Sequence, residues 1–155
     1  LFDHIYAHAQ SVGLGIVDAL EIDRINILQA ARLSMVMAVA NLKPRPDFVL
    51  IDGHLGIAWD CPQKALVKGD ARSVSIAAAS IVAKVSRDRL MDRYHEEFPQ
   101  FGFDRHKGYP TAAHCAAIAR HGPCPIHRRS FRRVCEFLPA AAETAADYGT
   151  AADAP

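Results

Sequence analysis

None of the four cysteines, Cys61, Cys115, Cys124 and Cys135, forms a Cys-x-x-Cys pair. A chain that is 50% hydrophobic needs no disulfide staples either, so reduced thiols in a cytoplasm are the simplest expectation. No uninterrupted apolar run approaches the ~18 residues a membrane span requires. The first ten residues carry Asp3, His4 and His8 instead of a basic-then-apolar stretch, and so do not read as a secretory signal. There is no Met at position 1, which suggests a chain cut from something longer. With only 9 Gly and 9 Pro in 155 residues and 23% charged residues, collagen, coiled coil and disorder are set aside. A single soluble domain is expected.

What is present is unevenly spread. Residues 1–97 hold 11 Lys/Arg against 12 Asp/Glu, residues 98–135 hold 7 against 1, and residues 136–155 hold 0 against 4. Five cations fall within Arg120 to Arg133, and Phe103, Tyr109 and Phe131 lie in or beside this block. Such a mixture suits a phosphate backbone; the alternative is a solvated face balanced by an acidic tail.

Val12, Leu14 and Ile16 alternate with glycines and predict a short strand. Ile16 to Lys43 lacks Gly and Pro and predicts one long buried helix, ended by Pro44 and Pro46. Phe48 to Ile51 is an apolar run of the kind found in strands covered on both faces, and Ala65 to Val67 predicts a second buried strand. Ser73 or Ser75 caps a helix that runs to Pro99, with its apolar end buried and its charged end wet. Residues 99–110 read as a loop, Thr111 caps a helix to about Arg120, and Ser130 starts a last short helix toward Leu138. Past Pro139 little can be buried, so residues 1–138 form the expected domain and 139–155 a disordered Ala-rich tail.

Strands interleaved with helices make this an α/β chain, and in such sheets sites gather beyond strand ends. Asp52 and Asp70 follow the two buried strands. If those strands are parallel neighbours ~4.8 Å apart, the carboxylates converge, and close carboxylates ask for a divalent cation or a shared proton. The plain alternative is an Asp beside Gly in an ordinary turn.

The segments Leu50-Ile51-Asp52-Gly53, Val67-Lys68-Gly69-Asp70, Ala78 to Asp88, His106-Lys107-Gly108-Tyr109-Pro110-Thr111 and His127-Arg128-Arg129-Ser130-Phe131 resemble, in that order, bacterial ribonuclease HII. The resemblance spans about residues 10–135 and extends to Glu21-Ile22-Asp23 and Asn26-Ile27-Leu28. It implies a ribonuclease-H-like fold with a helical C-terminal part. The implied activity is endonucleolytic hydrolysis of RNA in RNA–DNA hybrids and incision on the 5′ side of ribonucleotides embedded in duplex DNA, leaving 5′-phosphates. It also implies Asp52 and Asp70 as catalytic ligands of Mn²⁺ or Mg²⁺ in a two-ion mechanism, since paired cations stabilise both the attacking and the leaving oxygen. Tyr109 matches the family tyrosine that packs on the sugar after the ribonucleotide. Lys84 and Arg87 match phosphate contacts or site supports, the alternative for Lys84 being an i,i+4 pair with Asp88. His106 is a further candidate for phosphate contact or proton movement, while Arg128, Arg129, Arg132 and Arg133 would attract the duplex by counterion release. A monomer is expected when full length.

The family's leading Asp-Glu-Val-Gly-Arg-Gly strand, which supplies two more acids, has no counterpart here. The expectation is therefore an incomplete fold lacking its first two strands, with a bare edge at Phe48 to Ile51 and little activity by itself. Two other classes stay open. One is a non-catalytic module that grips hybrid duplexes. The other is a zinc-dependent interaction module built on His114, Cys115, His121, Cys124, His127 and Cys135, where Cys124-x-x-His127 is an admissible ligand spacing.

Overall fold

In a computed structural model, residues 1–137 are described, and the acidic tail 139–155 with the domain boundary at 138 lies outside them. The chain forms α1 (Phe2–His8), α2 (Ala19–Ile25), α3 (Ile27–Ala40), β1 (Val49–Asp52), β2 (Gln63–Leu66), α4 (Val74–Glu97), α5 (Phe103–His106), α6 (Ala112–His121) and α7 (Arg132–Cys135). This is a helix-rich α/β architecture around a small parallel sheet.

The expected strand at Val12–Ile16 is absent, because that segment lies on a helix. A Cβ on Gly13 or Gly15 would sit 2.1 Å from Ala38 O or 1.9 Å from Ser34 O, so both glycines let an extended chain rest on the backbone of α3. Asn41 Nδ2 donates to Leu14 O at 2.8 Å, and the Lys43 amide donates to Ser11 Oγ at 3.0 Å. The single helix expected from Ile16 to Lys43 is two. Asn26 interrupts it at φ 69°, and its side chain accepts the amides of Leu28 and Gln29 to start α3 afresh. Asn does this without Gly or Pro because it tolerates the left-handed region and caps well.

β1 and β2 pair in parallel, with Val49 opposite Gln63 and Asp52 opposite Leu66. Val49, Ile51, Ile57 and Val39 form one core cluster. β1 is covered on one face only: Val49 and Ile51 are buried, whereas Phe48 and Leu50 are exposed. Among the described residues the sheet has two strands, so the other edge of β1 is unpaired.

α4 is the longest element and buries Ile76 and Val82, yet it exposes Val74 at its apolar end. Ser73 occupies its N-cap without a side-chain hydrogen bond. α1 packs on α4 with the Arg89 guanidinium 4.2 Å from the Phe2 ring centre. The expected loop 99–110 contains α5 and a 3-10 turn at Pro99–Phe101. Phe101, Phe103, Ile118 and Val134 make the second core cluster there. Thr111 caps α6 by accepting the His114 amide, and the last helix is limited to Arg132–Cys135. A cavity of about 770 Å³ lies between residues 14–34, the middle of α4 and the 125–134 segment.

Candidate active site and nucleic-acid surface

A turn brings the backbone just before Asp70 against Asp52. Asp52 ends β1, and Asp70 lies in the 3-10 turn Gly69–Ala71 just after β2, four positions beyond the Leu66 that pairs with Asp52. The Gly69 amide donates to Asp52 Oδ1 at 2.8 Å, fixing that carboxylate against the residue preceding Asp70. Lys68 enters the turn in the left-handed region at φ 53°. A Cβ on the buried Gly69 would meet Ile76 Cδ1 at 2.6 Å and Asp52 Oδ1 at 3.3 Å, so only glycine lets the turn close this tightly. Asp70 Oδ1 accepts the Ala71 amide at 2.9 Å.

Both aspartates are exposed, and each commits Oδ1 to a backbone amide. Their remaining oxygens are hard donors of the kind Mg²⁺ and Mn²⁺ take, and Mg²⁺ is commonly held by only one or two carboxylates with water and phosphate. Among the described residues no group of three or more His, Cys, Asp or Glu could hold a metal ion. By their chemistry these free oxygens fit a hard cation.

A second group forms around Tyr109. Lys107 at φ 49° and Gly108 at φ 80° make a left-handed turn, which presents Tyr109 with 56% of its surface exposed. Arg87 on α4 lies over the ring, 5.1 Å from its centre, an arrangement that joins a cation to an aromatic face. Lys84, one turn earlier, pairs with Asp88. His106 has neither ring nitrogen free: Nε2 lies 2.7 Å from Phe101 O, and Nδ1 accepts the Gly108 amide at 3.2 Å. That arrangement occupies His106 with the backbone of its own loop and leaves it no nitrogen for a phosphate.

The basic loop 128–131 is held by a residue that sequence reasoning passed over. Asp23 on α2 accepts the Arg129 amide at 2.6 Å, the Ser130 amide at 3.0 Å and the Ser130 hydroxyl. Burial pushes the Asp23 carboxyl up, but the bonds from Ser130 and Arg129, with the Arg128 charge, outweigh it and hold its pKa below the usual value. Arg128 stacks on Phe131 at 4.9 Å, and the Arg129 side chain stands exposed. Only an acid 106 positions upstream in sequence could have flagged this contact, and no local spacing carries it.

The family model for ribonuclease HII matches residues 3–134. The chain belongs to the ribonuclease HII family. It is 55% identical over 138 residues to ribonuclease HII of Geobacter metallireducens, covering 89% of this chain and 65% of that one. Against the Geotalea daltonii ribonuclease HII it is 57% identical over 138 residues, covering 89% and 64%. Against that of Bacillus licheniformis it is 50% identical over 133 residues, covering 86% and 52%. The chain thus spans somewhat under two thirds of the curated relatives it matches. The ribonuclease H2 of Pyrococcus horikoshii has the same fold, with a TM-score of 0.69 at 23% identity, covering 88% of this chain and 72% of that one.

In this ribonuclease HII chain the proposed zinc cluster does not assemble. His121 is exposed against Phe101, Cys115 is approached by Arg133 Nη1 at 3.8 Å, and the side chain of Cys135 lies outside what is described. His114 and His127 do meet, but their Nε2 atoms are 2.9 Å apart, a hydrogen-bond distance. Two nitrogens bound to tetrahedral zinc at ~2.05 Å stand about 3.3 Å apart. The cysteines Cys61, Cys115 and Cys124 are free thiols. Among the described residues no helix is long and apolar enough to cross a membrane.

Proposed function

We propose that this chain carries part of the active site and the duplex-gripping surface of an endoribonuclease. The enzyme would hydrolyse RNA in RNA–DNA hybrids and incise on the 5′ side of ribonucleotides embedded in DNA. The observation that carries the reading is the Gly69 amide bound by Asp52, which ties the exposed Asp52 carboxylate to the residue preceding the exposed Asp70 at the end of a parallel strand pair. Family membership supplies the reaction class.

Asp52 and Asp70 would hold Mg²⁺ or Mn²⁺, and a bound divalent cation stabilises the negative charge that builds on phosphodiester oxygens during hydrolysis. The chain's own part is to fix those carboxylates and to seat the duplex. Tyr109 offers its ring face to the sugar next to the ribonucleotide, where a missing 2′-hydroxyl allows close approach. Arg87, over the same ring, adds a cation toward the backbone, and Arg128 and Arg129 meet phosphates farther along. Lys84 would take part by exchanging Asp88 for a phosphate. The enzyme would act as a cytoplasmic monomer on nucleic acid.

The test is cleavage of a duplex with one embedded ribonucleotide, in Mg²⁺ or Mn²⁺, by the chain joined to the N-terminal segment of the Geobacter metallireducens relative. Incision on the 5′ side, lowered at least a hundredfold by Asp52→Asn or by Asp70→Asn, is expected. Hybrid affinity that persists with no cleavage by the joined chain would favour the non-catalytic module, and cleavage that both substitutions leave unchanged would remove the two aspartates from the reaction.

A further inference from the structure

Behind the Tyr109 turn lies a buried chain of hydrogen bonds that the reading above does not use. His114 Nδ1 lies 2.9 Å from Tyr109 O, His114 Nε2 lies 2.9 Å from His127 Nε2, and the Cys124 amide donates to His127 Nδ1 at 3.0 Å. His114 and His127 are 5% and 8% exposed, so water does not complete these bonds. The fixed ends of the chain settle every proton in it. A carbonyl oxygen only accepts, so His114 Nδ1 must carry hydrogen; an amide only donates, so His127 Nδ1 must not. With neutral rings, His114 Nε2 is then an acceptor and His127 Nε2 a donor, and the 2.9 Å contact between them is satisfied in one sense only.

We propose that His127 and His114 are positioning residues, a one-way relay of neutral imidazoles that runs from the Cys124 amide to the Tyr109 carbonyl and holds the Tyr109 ring where it meets the duplex. The proposal rests on the reading of Tyr109 as a duplex contact. His106 braces the same turn from the other side: its ring stacks on His114 at 4.2 Å and 17° and accepts the Gly108 amide. Two imidazoles thus hold the backbone of residues 108–109 with His127 behind them, and Phe101 and Phe103 pack edge-on or tilted against the three rings. An extra proton has no place in the chain. A second proton on His127 would face the Cys124 amide, and one on His114 would face the His127 donor. The charged and titratable groups around the relay are His106 and Tyr109 on the loop, and the Cys124 thiol, 3.0 Å from His127 Nδ1. From α4, Glu97 acts on that thiol by its charge. Burial, with the neighbouring imidazoles, lowers the pKa of both His114 and His127, in keeping with neutral rings.

Long-range proton–nitrogen spectra of the histidines in this chain, near neutral pH, test the relay directly. Hydrogen on Nδ1 of His114 and on Nε2 of His127 is expected; either ring in the opposite tautomer overturns the relay. Affinity for a duplex with one embedded ribonucleotide, measured in EDTA so that nothing is cleaved, tests its role. Tyr109→Ala is expected to weaken binding about fivefold or more, and His114→Phe to weaken it as much. The double variant should be no weaker than either single, because both changes remove one interaction. His114→Asn, which keeps a donor near the Nδ1 position, should restore affinity to within about twofold of the parent and guards against a mere folding defect. Effects of Tyr109→Ala and His114→Phe that multiply, or His114→Phe binding like the parent, would overturn the positioning role. If Tyr109→Ala leaves affinity unchanged while the tautomers are as stated, the reading of Tyr109 fails and the proposal with it, whereas wrong tautomers beside a weakened Tyr109→Ala condemn the relay alone.

Discussion

The Gly69 amide and the Asp52 carboxylate form a 2.8 Å hydrogen bond across the end of the parallel strand pair. One residue's conformation therefore sets the geometry of the other's oxygen donors. The turn closes over Gly69 because no Cβ fits there: Ile76 Cδ1 and Asp52 Oδ1 would lie 2.6 and 3.3 Å from it.

Gly69→Ala should accordingly act on both stability and metal binding. Forcing a methyl into a filled site costs about 1–3 kcal/mol, and the displaced turn moves Asp70 relative to Asp52. Urea titration should show the loss of stability. Mn²⁺ binding followed by electron paramagnetic resonance should weaken several-fold in the same variant. Unchanged Mn²⁺ affinity in a folded Gly69→Ala chain would sink the claim that this turn builds the carboxylate pair.

Asp23 should matter out of proportion to its place in the sequence. Its carboxylate receives the Arg129 and Ser130 amides and the Ser130 hydroxyl, so Asp23→Ala exchanges three charge-assisted bonds for bonds to water. A loss of about 1–3 kcal/mol is expected. Amide hydrogen exchange should speed up at Arg129 and Ser130 by at least tenfold, while amides in α3 keep their protection. Equal acceleration throughout the chain would mean that Asp23 holds the whole fold and not this loop.

Much of this arrangement was legible from sequence where a residue speaks for its own surroundings. The apolar run before Asp52, the Thr111 cap and the length of α4 are local signals, and α6 and α4 begin at or beside the positions they indicate. What escaped depends on contact between distant segments. Gly13 and Gly15 look like weak strand residues, yet their lack of a side chain seats the segment on α3. Asn26 looks helical by its neighbours and instead ends one helix and caps the next. His106, His114 and His127 read as separate candidates for phosphate or zinc, and only tertiary packing shows that each ring nitrogen is answered by backbone or by another ring.

The buried relay also predicts how stability varies with pH. Burial, then the nearby charge of His114, lowers His127 to about 4, whereas an imidazole in the unfolded chain titrates near 6.5. Between those values the unfolded chain takes up a proton that the folded chain refuses, so stability rises with pH. It is complete above about pH 6.5, falls as the pH drops toward 4, and loses no more from this group below that. His114, lowered in the same direction, adds to the effect. The contribution of His127 is about 2–3 kcal/mol. Urea midpoints measured from about pH 7.5 to 4.5 should fall for the parent, and less steeply for His127→Gln. Parallel curves for the two would remove His127 as a source of acid sensitivity.

Arg129 and Tyr109 should separate cleanly in their dependence on salt. A cation that meets a phosphate releases counterions, so each such contact adds about 0.9 to the slope of log affinity against log salt on a B-form duplex. Arg129→Ala removes an exposed side chain yet keeps the backbone amide that Asp23 holds, so the loop should stay in place. Its slope should be shallower by about one contact, and its affinity should fall equally for duplexes with and without a ribonucleotide. Tyr109 carries no charge and reads the sugar by its ring face, so Tyr109→Ala should leave the slope alone and narrow the preference for the ribonucleotide duplex. Titrations of both duplexes over a range of salt concentrations decide the matter. A slope changed by Tyr109→Ala, or a preference changed by Arg129→Ala, would mean that the two residues share one contact instead of dividing backbone attraction from sugar recognition.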